Sequence, residues 1–315
     1  MVSIAVSRRG AAGTAALFGG IAALPHLLAP GGSLGAMMLI YLTQLPLFGA
    51  GLWLGVEASV IAGVVGLGIL MAGKGLPIAA VFAGLNAIPV VLLVRQALLA
   101  RSGAEGSVDW YPPGLLTAWL TGLGLAVIAA VMLVLGSLDG MRAALREAVA
   151  FDSSFGGNTT GLAELLDSVA FVLPGLTAGS WMAMTSTNGI LAQGLLARFG
   201  ANWRPSPDMT ALSLPIWILV LLAFATAATL LGGTAHFIAI NVMIVLAVSF
   251  CLAGLAVLHV LARKLARPVI PLVTFYVIAG VLGWPLLLVA LLGVLKSSLG
   301  LRRRFAQSKE FGGFR

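Results

Sequence analysis

Residues 209–262 read MTALSLPIWILVLLAFATAATLLGGTAHFIAINVMIVLAVSFCLAGLAVLHVLA, 54 residues without one Asp, Glu, Lys or Arg. An α-helix rises ~1.5 Å per residue and the hydrocarbon core of a bilayer is ~30 Å thick, so about 20 apolar residues cross it once. This stretch therefore has room for two crossings. A second charge-free run, 47 residues between Arg9 and Glu57, has room for two more. Only 28 of the 315 residues are charged, 18 basic and 10 acidic, and they leave long gaps between them. The chain reads as an all-α, polytopic transmembrane helical bundle.

Composition agrees. Hydrophobic residues make up 60% of the chain, well above the level of soluble domains. The 40 glycines fit a membrane bundle, where small residues let helices approach closely. The formal net charge of +8 does not point to nucleic acid, because the basic residues sit at helix ends, where they set orientation. Cys251 is the one cysteine and lies inside an apolar run, which excludes an intramolecular disulfide and a cysteine metal site. Ser7-Arg8-Arg9 faintly resembles a twin-arginine export signal; an uncleaved first helix with a basic flank is the simpler reading.

Breakers divide the apolar runs into spans at about 10–29 (ending near Pro30-Gly31-Gly32), 34–52, 57–73, 76–97, 114–136, 167–197, 211–231 and 236–262. Pro174-Gly175 predicts a kink in the sixth. The tail over 269–295 is one tilted helix or a hairpin with Gly283-Trp284-Pro285 at its tip. With a cytoplasmic N-terminus and a tail hairpin, 15 of the 18 basic residues face the cytoplasm, and only Lys74, Arg142 and Arg146 face outside. That is the asymmetry orientation rules favour. The expectation is ten spans with both termini cytoplasmic; eight is the alternative, if the third span and the tail do not cross fully. The chain divides into an N-terminal membrane bundle (1–136), an extracytoplasmic loop (137–167) and a C-terminal membrane bundle with a basic cytoplasmic tail (168–315).

The loop carries five acids against two arginines. Leu138, Met141, Leu145 and Val149 recur at helical spacing, with Arg142 and Arg146 off the stripe, which predicts an amphipathic helix on the outer surface. Phe155-Gly156-Gly157-Asn158 predicts a break, and Asn158-Thr159-Thr160 fits the glycosylation pattern. Five spans on either side would permit inverted halves, although the halves do not visibly resemble each other.

Ionisable groups in lipid cost roughly 2.5–3.5 kcal/mol on insertion scales, so each needs a reason. Glu57 is either a cavity group that meets a substrate or cation, or a carboxylate at a helix N-terminus stabilised by the dipole. His26, His236 and His259 are not at ligand spacing, and no metal site is expected. The buried-range amides are Gln44 before Pro46, Asn86 before Pro89, Asn188 after Thr185-Ser186-Thr187, and Asn241. Proline frees a carbonyl one turn back, which a nearby amide can satisfy, or the amide can line a cavity. The competing reading is interhelical hydrogen bonds worth only ~0.6 kcal/mol each. Ala11 with Ala15, Ala12 with Ala16, Gly19 with Ala23, and Gly51 with Gly55 place small residues four apart, suited to close packing inside the protein or against a partner helix. Walker and Gly-x-Ser-x-Gly patterns are absent, and no pair of acids flanks a substrate position. Neither an enzyme nor a cofactor is expected.

Several stretches together resemble the YybS-like family of uncharacterised bacterial membrane proteins. They are Tyr41 to Gly51 (YLTQLPLFGAG), Leu173-Pro174 with Asn188, the run LLARFG ending at Gly200, Leu214-Pro215, Ala253 to His259 (AGLAVLH), and the tail from Leu291 to Arg304. The resemblance covers nearly the whole chain and carries over no functional residue. It implies a distant similarity to the S-components of energy-coupling-factor transporters, which bind small molecules and rely on a separate membrane coupler. The Ala11/Ala15 and Ala12/Ala16 ladder resembles their coupler-facing small residues. The leading expectation is thus a bacterial inner-membrane protein that binds or transports a small molecule, with Gln44, Glu57 and Asn86 as pocket residues and the bilayer, a ligand and a membrane coupler as partners. The alternative is a membrane scaffold working through 137–167 and the tail 302–315.

Overall fold

The computed structural model describes residues 8–28, 34–102, 108–151, 159–208 and 212–312. The expected breaks at Pro30-Gly31-Gly32 and Phe155–Asn158, the Asn158 glycosylation pattern and Ser7 lie outside the described residues, as do the side chains of Val149 and of Arg302, Arg303 and Arg304.

The described chain is a helical bundle. In order, the helices are α1 (Arg8–Leu28), α2 (Leu34–Tyr41), α3 (Gln44–Leu54), α4 (Val56–Lys74), α5 (Leu76–Phe82), a π-helical turn (Ala83–Ala87) and α6 (Ile88–Ala97). A small antiparallel hairpin follows, β1 (Ala100–Ser102) with β2 (Val108–Trp110), pairing Arg101 with Asp109. Then come α7 (Pro113–Leu135), α8 (Leu138–Phe151), α9 (Thr159–Arg198), α10 (Ile216–Ala228) with a 3₁₀ turn (Thr229–Leu231), α11 (Gly233–Ala262), α12 (Val269–Leu282) and α13 (Pro285–Gly312). Leu17, Val64, Ile190, Phe224 and Val277 stand exposed. In water such a surface would aggregate; in hydrocarbon it is the outer face of a bundle.

Among the described residues six helices are long and apolar enough to span, and the bent pair α12 and α13 makes a seventh if counted as one. Neither the expected ten spans nor the alternative of eight is supported by that count. Charge spacing measures how long an apolar segment is, not where its backbone breaks. The 34–52 segment breaks at Leu42–Thr43, where Leu42 N–H bonds Leu39 O and Thr43 N–H bonds Ile40 O, leaving helices of 8 and 11 residues. The 211–231 segment begins its helix only after Pro215 and holds 13 α-helical residues. The tail breaks at Gly283-Trp284, as a hairpin would, but its arms meet with a bend of 117°. Gly283 sits at φ +70°, a conformation that costs glycine nothing, and Pro285 opens the next helix.

Two compact units emerge. Unit 1 comprises 1–116 and 183–208, and unit 2 comprises 117–182 and 209–315; two of the boundaries fall inside α7 and α9.

In unit 1, α1 lies against α4. A side chain at Gly19 would run into the backbone carbonyl of Ala62, and one at Gly66 would come within 2.8 Å of the Phe82 ring. A side chain at Gly51 would come within 2.7 Å of Val94. Gly55, at φ +100°, joins α3 to α4 with no further loop residue. Beyond the helices, Arg204 is buried and ties three segments together. It donates to Ala97 O (3.0 Å) and Tyr111 O (2.8 Å), and its own carbonyl accepts from Gln193 (2.8 Å) and Asn202 (2.6 Å). Burial pushes its guanidinium below the ordinary arginine range.

In unit 2, α11 and α13 meet backbone to backbone. A side chain at Gly254 would strike the carbonyl of Val289, and one at Gly293 that of Phe250. Ile218, Leu246, Phe250 and Ala253 form the core beside them. The expected amphipathic helix is present as α8, and its stripe packs inside the unit. Met141 is fully buried against Ala170 and Phe237, with Leu138 and Leu145 packed around them. The off-stripe arginines are paired: Arg142 with Asp139 (3.0 Å) and Asp167 (3.5 Å), and Arg146 with Asp167 (3.0 Å). Packing inside the unit removes Met141 from water as completely as a membrane would, so the same periodicity fits both.

Candidate functional site

The site is built by two irregularities in the helices of unit 1. The first is proline at position 89. In a regular helix the N–H of residue 89 would bond Leu85 O, and proline has none. The backbone there winds into a π-helical turn over Ala83–Ala87, a feature often found at functional sites. Gln44, fully buried at the start of α3, donates from Nε2 to Leu85 O at 2.8 Å. The second irregularity is the α2/α3 break. Asn188 of α9 reaches across it, donating from Nδ2 to Tyr41 O at 2.7 Å and to Met184 O at 2.8 Å.

Those contacts fix which end of each amide is which. Leu85 O, Tyr41 O and Met184 O can only accept, so the nitrogens face them. The amide oxygens Gln44 Oε1 and Asn188 Oδ1 are buried with no partner. Thr185, one turn before Asn188 and 1% exposed, has its Oγ1 in the same condition. The threonines Thr14, Thr121 and Thr226 bond the carbonyl one turn back, at 2.8–2.9 Å. Thr185 does not take that outlet. Gln44 and Phe48 share a face of α3, and a side chain at Gly189 would touch the Phe48 ring at 3.5 Å. That face of α3 therefore meets α9 at the level of Thr185 and Asn188. Ser59 Oγ, beside Gly51, is a fourth buried oxygen of unit 1 without a partner.

Close by, Thr43 is buried and its Oγ1 lies 3.4 Å from His26 Nε2, while the His26 ring meets Phe82 edge-on at 5.8 Å. Unit 1 thus holds a polar layer of His26, Thr43, Gln44, the Leu85–Asn86 turn, Thr185 and Asn188, drawn from α1, the α2/α3 break, the π turn and α9.

Of the residues singled out by sequence, Gln44 and Asn86 come together: Gln44 bonds the residue that precedes Asn86, and Asn86 is buried in the same turn. Glu57 is exposed in the first turn of α4, where the helix dipole favours a carboxylate. In the small-residue ladder Ala15 is fully buried, Ala11 and Ala16 are half-buried and Ala12 is exposed. Ala16 lines a shallow apolar groove with Gly13, Leu17, Gly20 and Ile21. Sequence reading weighed Asn188 as a cavity amide but named neither it nor Thr185 among the pocket residues. The one available signal was the cluster of hydroxyls and an amide, Thr185 to Asn188, inside an otherwise apolar span.

Unit 2 handles its buried amide differently. Asn241 Oδ1 accepts from Gly175 N–H at 2.6 Å, and its Nδ2 donates to Phe171 O at 3.0 Å and Phe237 O at 2.8 Å. Gly175 N–H and Phe171 O are the two groups that would bond each other in a regular helix. Asn241 bonds both of them, beside Pro174 inside the continuous helix α9.

No curated protein and no solved structure matches the chain. The sequence pattern of the family described as Predicted membrane protein (DUF2232) matches residues 34–295, most of the chain, and the chain belongs to that family.

Proposed function

We propose that this chain is a small-ligand binding or transport protein of a bacterial inner membrane, with its binding station in the polar layer of unit 1. The observation that carries this reading is the trio of buried, unpartnered oxygens: Gln44 Oε1, Thr185 Oγ1 and Asn188 Oδ1. An unmet buried polar group costs about 1–3 kcal/mol, so polar groups kept for architecture end up satisfied, as Asn241 is. Groups held against that cost are expected where function needs them. The setting supports the reading: broken helices and a π turn inside an apolar bundle are where transporters place their sites.

Gln44 and Asn86 belong to this station. Glu57 serves as the helix-end carboxylate of α4. The finer likeness to YybS-like proteins and S-components, and the cytoplasmic placement of both termini, extend the proposal. A partner membrane protein would meet α1 at Ala12, the exposed member of the ladder, and at Ala16, which lines the groove. The scaffold alternative depends on 137–167 and 302–315; α8 uses its stripe inside unit 2 and pairs both arginines locally, which leaves less of that segment for a partner.

Thiol labelling tests the reading. In a Cys251→Ser background, Thr185→Cys places the sole thiol in the layer. A station that takes its ligand from water lets a small, charged methanethiosulfonate react there in sealed vesicles of the folded protein. A thiol that reacts only after unfolding would mean the layer is closed and structural.

A further inference from the structure

We infer that the ligand held by Gln44 Oε1, Thr185 Oγ1 and Asn188 Oδ1 is a small monovalent cation, an alkali ion or ammonium. This rests on the binding reading above and names the ligand class of that same site. The three atoms are two amide oxygens and a hydroxyl, all electron-rich, uncharged and buried. Asn188 spends both amide protons on Tyr41 O and Met184 O, and Gln44 turns its nitrogen to Leu85 O. The two amides are left with acceptor oxygens, which repel an anion, and the Thr185 hydroxyl can turn its lone pairs toward a cation.

A divalent ion fits no better. Such ions take carboxylate ligands, because desolvation grows with the square of the charge. Among the described residues no three His, Cys, Asp or Glu gather anywhere in the chain, and none of the trio is a carboxylate. A monovalent ion asks for less: neutral carbonyl and hydroxyl oxygens can replace its hydration shell.

The test uses the full chain in nanodiscs and reads the unfolding midpoint against NaCl, KCl and NH4Cl, with choline chloride at matched ionic strength. A saturable rise in at least one of the three salts over choline is expected, and the salt that produces it separates an alkali ion from ammonium. Thr185→Val removes only the unpartnered hydroxyl and should weaken the apparent affinity at least tenfold, while Thr185→Ser keeps it. Equal midpoints in all four salts, or a Thr185→Val protein that responds like the wild type, overturn the cation. If the Thr185→Cys thiol is then open to water, the binding reading survives with a different ligand; if it is sealed, both fall.

Discussion

Asn188 and Asn241 are both buried on long apolar helices, and both donate to a carbonyl on another helix as well as to the carbonyl one turn back on their own. They differ in the fate of the oxygen. Asn241 Oδ1 accepts the Gly175 N–H beside Pro174, so every end of the amide is used. Asn188 Oδ1 has no partner, and neither do Gln44 Oε1 and Thr185 Oγ1 in the same layer. Unit 2 uses its amide to mend a helix. Unit 1 mends its breaks with the nitrogens alone and leaves three oxygens of this layer over, besides Ser59 Oγ elsewhere in the unit. Residue type and burial are the same in both; only the completeness of the hydrogen bonding separates scaffold from site.

The contrast predicts a ranked set of effects. The largest belongs to Asn241→Leu, which strands Gly175 N–H and Phe171 O inside unit 2. A loss of about 2–5 kcal/mol is expected, read as a lower unfolding midpoint and poor yield. Survival with a near-wild-type midpoint would mean that α9 satisfies these groups without Asn241 and that the comparison is false. Gly293→Ala comes next. The added methyl meets the Phe250 carbonyl where α11 and α13 touch, so the helices must part, at roughly 1–3 kcal/mol. Faster proteolysis at the Gly283-Trp284 break would report it, because α13 is then held less firmly.

Much of this was legible in the sequence. The apolar periodicity and charge gaps placed α1, α4, α7 and α11 to within a few residues, because long uninterrupted apolar runs admit one structure in lipid. Gly283-Trp284-Pro285 was readable as a break for the same local reasons that make it one. The span count was not legible. At the Leu42–Thr43 interruption, Tyr41 O is bonded by Asn188, 147 residues from Tyr41, and nothing local announces that partner. The site was half legible. Proline at 89 implied a freed carbonyl, but its partner is Gln44 and not the neighbouring Asn86, and nothing local says which amide arrives. The fate of the α8 stripe was likewise undecidable, since lipid and the Phe237 face of unit 2 ask for the same periodicity.

The smallest expected effect is the most telling. Thr185→Val replaces a buried, unpaired hydroxyl with a methyl of the same shape. If the oxygens of unit 1 exist for a ligand and not for the fold, the unfolding midpoint in choline chloride should stay within about 0.5 kcal/mol of wild type or rise. A fall as deep as that of Asn241→Leu would show that Thr185 holds unit 1 together, and the distinction between the two units would be lost.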